Sequence, residues 1–226
     1  MRLDKYISNH SQLSRKEVRQ AIKAKRIMVN DVYANKADMA INVDLDQISL
    51  DGELLKYQKY TYILLNKPAG YVSANHDLLF PTVFDLITDY TKGLVCVGRL
   101  DKDTEGLLLI TNDGVLAHRL LAPKHHVSKK YYVEIVKPLS ENDISLLTSG
   151  TIELDGKKIK PASVEILSET SLYLTISEGK FHQVKRMLMK CDNEVTFLKR
   201  VAMGKLVLPS SLKLGEYCYI NKNELI

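Results

Sequence analysis

Cysteine is scarce: Cys96, Cys191 and Cys218 are far apart and odd in number. No Cys-x-x-Cys pair occurs, so neither a disulfide framework nor a cysteine zinc site is indicated. Long apolar runs are lacking as well. No 18-residue apolar stretch exists, and the N-terminus has no apolar core of signal type, so a soluble, cytoplasmic protein is expected. There is no repeat of 20–50 residues and no low-complexity segment. Gly-x-Ser-x-Gly is absent, which leaves little support for Ser/His/Asp hydrolysis. His118, His125, His126 and His182 have no carboxylate or cysteine spaced to complete a metal site, and no metal is expected.

What is present is an ordinary globular composition, 45% hydrophobic and 26% charged over 226 residues. That length suits one large domain or a small one joined to a medium one. The net charge is only +5, but it is unevenly placed. Residues 1–30 hold the cations Arg2, Lys5, Arg15, Lys16, Arg19, Lys23, Lys25 and Arg26 against Asp4 and Glu17 alone. This front end therefore exceeds the whole chain's excess, and the rest is close to neutral. Such a distribution fits an electrostatic docking module for a polyanion.

Within that module, Leu3, Tyr6 and Ile7 stand at helical spacing, predicting a short helix over residues 2–9. Ser14-Arg15-Lys16-Glu17 is a capping box that opens a second helix through about Lys23, with Val18, Ala21 and Ile22 inward. Its outward face carries Arg15, Lys16, Arg19 and Lys23. A solvated helix face normally mixes both signs, and this one barely does. Ile27-Met28-Val29, Asn30-Asp31 and Val32-Tyr33 read as strand, turn and strand, and Ile48 to Leu50 as another strand. Arg2-Leu3-Asp4-Lys5, Ser14-Arg15-Lys16 and Ile27-Met28-Val29-Asn30 together resemble the S4-type RNA-binding domain. That resemblance implies that Arg2, Lys5, Arg15, Lys16, Arg19, Lys23 and Arg26 contact RNA.

Residues 53–60 are polar and tyrosine-rich without periodicity, so a linker is expected there. The expected domains are 1–57 and 58–226. Beyond it, Tyr62-Ile63-Leu64-Leu65 reads as a buried strand broken by Asn66-Lys67-Pro68-Ala69-Gly70, and residues 81–87 as a short helix. Helices are also predicted at 115–121, at 182–191, and from the Ser140 cap to Gly150. Strands are predicted at 131–136, 172–176, 195–201, 206–208 and 217–220. Asp155-Gly156 turns a hairpin. Strands mostly linked by hairpins, with helices between them, give an α+β fold with a largely antiparallel mixed sheet flanked by helices, behind the small α+β unit.

The second domain is organised around Gly98-Arg99-Leu100-Asp101-Lys102-Asp103-Thr104-Glu105-Gly106, a turn between two short apolar strands. On spacing alone, Asp101 reads as a solvated or turn-capping carboxylate. However, Gly-Arg-Leu-Asp followed by Thr-x-Gly-Leu-Leu-Leu resembles the central signature of pseudouridine synthases, and Asn-Lys-Pro-x-Gly resembles their opening motif. The resemblance implies that Asp101 is the nucleophile that isomerises uridine to pseudouridine. That reaction moves no electrons between molecules and needs no cofactor; one nucleophilic carboxylate suffices in principle.

By the same resemblance Tyr131, in Lys129-Lys130-Tyr131-Tyr132-Val133, packs on the target base; as residues alone it reads as a core strand tyrosine. Lys185, in Phe181-His182-Gln183-Val184-Lys185-Arg186-Met187, matches the basic partner of the aspartate, with Arg186 as the alternative. A partner keeps a carboxylate ionised in a dry pocket. The target base must be flipped out at a cost of a few kcal/mol of stacking. Arg99 then fills the vacated space or holds a phosphate, and Lys129 and His182 join it as expected RNA contacts. Ala122-Pro123-Lys124-His125-His126 reads as an RNA-facing loop.

The Phe-His-Gln-Val-Lys-Arg-Met run is similar to the branch that modifies small-subunit (16S) ribosomal RNA, whereas large-subunit relatives typically carry Asn-Arg-Gln-Val/Ile-Arg-Arg. The expected partner is therefore 16S ribosomal RNA in a small-subunit assembly intermediate, bound by a monomer. A 23S-directed synthase and a non-catalytic assembly factor are the other readings.

Overall fold

A computed structural model describes residues 1–55, 57, 59–88, 93–122 and 127–225. The expected loop at Pro123–His126 lies outside them. Two compact units emerge, one built on Met1–Tyr60 and the other on Thr61–Ile87 and the chain from Gly93 on.

In the first unit, helix α1 (Leu3–His10) precedes α2 (Arg15–Lys23). The Ser14–Glu17 capping box forms in both directions and satisfies two otherwise orphaned N–H groups. Strands β1 (Ile27–Val29), β2 (Val32–Tyr33), β3 (Ile48–Leu50) and β4 (Glu53–Leu54) make an antiparallel sheet in the order β2-β1-β3-β4. Its core joins Leu3, Tyr6 and Ile7 to Val18, Ala21 and Ile22 and to Ile27 and Ile48. Residues 53–55, read from composition as linker, instead complete this unit: β4 pairs with β3, and the Tyr6 hydroxyl donates to the Leu55 carbonyl at 2.6 Å.

The second unit contains β5 (Tyr62–Lys67), β6 (Val95–Cys96), β7 (Glu105–Thr111), helix α3 (Gly114–Leu121) and β8 (Lys129–Ile135). Helix α4 (Glu141–Ser149), the small hairpin β9 (Glu153–Leu154) and β10 (Lys157–Lys158), β11 (Ser163–Ser168) and β12 (Ser171–Ile176) follow. Helix α5 (Gln183–Met189), β13 (Val195–Met203), β14 (Leu206–Val207) and β15 (Tyr217–Tyr219) complete it. Among the described residues, the large sheet runs β11-β12-β8-β13-β7-β5-β15, with β14 beside β13 and β6 beside β7. All these ladders are antiparallel except β13–β7. The fold is α+β with a largely antiparallel sheet.

Strands β5 and β7 read as unbroken apolar runs because they are covered on both faces, and six residues of each are buried. β8 and β12 alternate, with Tyr131, Val133, Leu172 and Leu174 inward. Val184, Met187 and Leu188 of α5 enter the same core. That packing brings the N-terminal end of α5 to the loop between β6 and β7, which is the central motif.

Candidate active site

The loop that carries Asp101 is held from behind. Lys67, at the end of β5, is fully buried, and its ammonium reaches the carbonyls of Thr104 (2.7 Å), Asp101 (3.0 Å), Pro68 (3.1 Å) and Lys102 (3.3 Å). A lysine there supplies donors to carbonyls turned inward by a tight loop. Burial pushes its amine down to about 8, although Asp103 and Asp101 pull the other way. Ser73 Oγ adds a two-way bond to the N–H and carbonyl of Leu100, both at 3.0 Å. The Thr104 N–H donates to the Asp101 carbonyl at 3.1 Å and closes the turn.

Gly106 has φ +100°, and a Cβ there would run into the Arg200 carbonyl oxygen. This signature glycine is therefore required by the close parallel approach of β7 and β13, where Arg200 pairs with Gly106.

Asp101 opens onto a cavity of about 200 Å³ whose walls include Arg99, Lys129, Tyr131, Val184, Leu198 and Arg200. Tyr131 is buried, and Arg99 is exposed at the rim. On β8, Tyr131 stands directly opposite Arg200 of β13 and Leu174 of β12. His182 caps α5 in a left-handed conformation (φ 47°), stacks on Phe181 at 3.8 Å between ring centroids, and places Nε2 3.5 Å from Asp101 Oδ1. Non-glycine residues held in that region concentrate at functional sites.

Lys185 forms an ion pair with Asp101 at 3.9 Å, and its ammonium also donates to both oxygens of Asp103, at 2.7 and 2.6 Å. Partial burial raises the Asp103 carboxyl, but the Lys185 hydrogen bonds and charge hold it below the usual carboxylate range. Lys185 thus sits between two carboxylates of one turn and favours the nearer. Arg186, the alternative partner, is committed to Asp155 in the β9–β10 turn, at 2.9 and 2.7 Å.

Lys129, an expected RNA contact, is buried in the cavity wall and donates to the Val127 carbonyl at 3.0 Å. Alternation along β8 points it inward with Tyr131. Burial, with Arg200 adding to the effect, pushes its amine down to about 8, while Glu178 opposes both.

Arg200 was not singled out from the sequence. It is 1% exposed, and its Nε donates to the Leu107 carbonyl at 2.7 Å. The available signal was a cation two residues after Leu198, in an inward position of a strand.

In the first unit, Arg2 and Arg26 are held in forked pairs with Asp4 (3.0 and 2.8 Å) and Asp51 (2.7 and 2.6 Å). Lys5, Arg15, Lys16, Arg19 and Lys23 are exposed and form no ion pair among the described residues. Also among the described residues, no cluster of three His, Cys, Asp or Glu side chains could hold a metal ion, and no helix is long and apolar enough to cross a membrane.

Comparison with known proteins covers the whole chain. Residues 61–190 match the RNA pseudouridylate synthase family model, and residues 1–44 match the S4 domain model. A Bacillus subtilis (strain 168) protein named "Uncharacterized RNA pseudouridine synthase YtzG" is 44% identical over 100% of this chain and 97% of its own. The Haemophilus influenzae ribosomal small subunit pseudouridine synthase A is 39% identical, over 100% and 98%. A crystal structure of a pseudouridylate synthase aligns with TM-score 0.70 at 38% identity, covering 100% of this chain and 98% of that one. With an S4 domain ahead of this Asp101-bearing cavity, the chain belongs to the RNA pseudouridylate synthase family and is an RNA pseudouridine synthase.

Proposed function

We propose that the chain converts one uridine of 16S ribosomal RNA to pseudouridine on a flipped-out base, with Asp101 as the nucleophile. The observation that carries the site is Asp101 at the mouth of a cavity backed by buried Tyr131. Relatives named ribosomal small subunit pseudouridine synthase A, 39% identical in Haemophilus influenzae and 36% in Escherichia coli K12, support the choice of subunit.

In this reading the exposed cations of α1 and α2 hold the RNA backbone by charge. The target base leaves its stack and enters the cavity against Tyr131, and Arg99 at the rim occupies the space it vacates. His182 and Lys185 keep Asp101 oriented between them, Lys185 being fixed in turn by Asp103. Asp101 then carries the reacting fragment while the N1–C1′ bond breaks and the C5–C1′ bond forms. The proposed domain boundary is at residues 57–58, and the proposed setting is a cytoplasmic monomer acting on a small-subunit assembly intermediate.

The test is pseudouridine mapping of 16S and 23S ribosomal RNA from a strain deleted for this gene. One 16S site should be lost and then restored by the wild-type chain but not by Asp101→Asn. Loss of a 23S site instead would overturn the subunit assignment and leave the chemistry standing.

A further inference from the structure

We infer that Arg200, with Lys129 beside it, is the electrophilic wall of the active-site cavity and takes up the negative charge that gathers on the pyrimidine when its glycosidic bond breaks. This rests on the Asp101 cavity being the catalytic one.

Among the described residues, three buried side-chain atoms have no hydrogen-bond partner, and Arg200 Nη2 and Thr104 Oγ1 are two of them. Both residues line this cavity. Arg200 also forms no ion pair with any described carboxylate, although it is 1% exposed. Of the two carboxylates that line the cavity, Asp101 faces His182 and Lys185, and Glu178 accepts from the Lys160 N–H and from Gln183 Nε2, so neither pairs with Arg200.

A buried guanidinium without a counter-charge is costly, and a neutral donor would serve the Leu107 carbonyl equally well. The cation therefore needs an anionic occupant. Its position fits one: cross-strand pairing sets Arg200 directly opposite Tyr131, on the face of the sheet where the base would lie. Gly106, which tolerates no side chain against the Arg200 backbone, ties this strand to the Asp101 loop. Lys129, two residues before Tyr131 on the same face of β8, brings a second buried amine to the wall.

The reaction generates the required charge by any route open to Asp101. If Asp101 attacks C1′, or a glycal forms, the N1–C1′ electron pair departs with the ring and spreads onto the pyrimidine carbonyl oxygens. If Asp101 adds to C6, the ring gains an electron pair before that bond breaks. C5 then returns a pair to C1′, and whichever bond Asp101 made (to C1′ or to C6) breaks and restores its carboxylate. On the glycal route, the C2′ proton that Asp101 took is returned instead. The C5 proton is lost and N1 takes one up, so atoms and electrons balance with no further reactant. A preorganised cation in a site closed to water stabilises such developing charge.

The experiment compares single-turnover formation of the C5-linked nucleoside, recovered by nuclease digestion, on RNA carrying uridine or 5-fluorouridine at the target position. Fluorine stabilises the departing anion and so lessens the need for a cation. Arg200→Met should slow the uridine substrate roughly 100-fold or more and the fluorinated one much less, with little change in RNA affinity. Lys129→Met should show the same asymmetry at smaller size, and Arg200→Lys should recover part of the rate.

If Arg200→Met does not fold, Arg200→Lys and Lys129→Met carry the comparison with the same two substrates. Equal losses on both substrates, or none, would overturn the inference and leave Arg200 a packing residue. Asp101→Asn separates the two readings. Activity in that variant would sink the cavity assignment itself, whereas an inactive Asp101→Asn beside symmetric Arg200 losses would sink only this inference.

Discussion

The two units of this chain use their cations in opposite ways. In the first unit the cations of α2 are exposed, and Arg15, Lys16, Arg19 and Lys23 form no ion pair among the described residues. In the second unit Lys67, Lys129 and Arg200 are buried, and each donates to at least one backbone carbonyl. Exposed charges act through a field that reaches about 8 Å in physiological salt and does not depend on angstrom-scale placement. Buried ones act at a point, strongly, and only in one geometry. The first arrangement suits a docking surface that must tolerate a flexible polyanion. The second suits a site that must hold one carboxylate and one base in register.

That contrast can be broken from the buried side first. Gly106→Val should be among the most damaging single changes, because a side chain there meets the β13 backbone and φ is +100°. A loss of roughly 3 kcal/mol or more is expected from strain and displaced strands together, read as a shifted denaturant midpoint. A stability within about 0.5 kcal/mol of the parent would mean the two strands can separate freely.

Lys67→Met comes next. It strips the donors from four inward-facing carbonyls and should cost on the order of 2–4 kcal/mol, with a further drop in activity as the Asp101 loop loosens. Retained turnover in a destabilised Lys67→Met protein would show that the loop holds its shape without the ammonium.

Lys129→Met should move stability in the other direction. The Lys129 amine lies at about 8 in the folded chain against an ordinary value of 10.5, so between those values the unfolded chain binds more protons. Its charge therefore opposes folding fully below about pH 8, and that penalty fades as pH rises toward 10.5. The substitution should stabilise the protein at pH 7 by on the order of 1–3 kcal/mol, less the hydrogen bond to Val127 that it removes. The advantage should shrink by pH 9–10, which paired unfolding curves at the two pH values would reveal. A constant difference would mean that Lys129 is not desolvated.

The smallest effect on stability belongs to the exposed cations. Replacing Arg15, Lys16 and Arg19 with alanine should leave the fold within about 0.5 kcal/mol. RNA affinity should weaken, and the salt slope should fall by about one unit for each phosphate that is no longer neutralised. An unchanged slope would make that helix face an ordinary solvated one.

How much of this was legible in the sequence follows from the range of the interactions involved. Local chemistry read well: the Ser14–Glu17 capping box, the unbroken apolar runs of β5 and β7, and the turn between β6 and β7 all depend on neighbours in the chain. Edge strands read poorly. β4 and β11 are short or exposed, and their pairing with β3 and β12 rather than their composition makes them strands. In the site, Asp101, Tyr131 and Lys185 were reached through motifs, while the Lys185–Asp103 bond was not, since partner choice between two carboxylates of one turn is decided by the docking of α5. Lys129 reads from the neighbouring basic loop as an RNA contact, and its place in the cavity wall follows only from strand alternation.

The central claim is that Asp101 does the chemistry and the first unit does the holding. The most direct measurement is release of the C5 hydrogen from uridine in 16S ribosomal RNA by Asp101→Asn, taken alongside its RNA affinity. Release should be abolished while affinity stays within a few-fold of the parent, because the amide is nearly isosteric but is no nucleophile. Substantial hydrogen release by Asp101→Asn would contradict the claim.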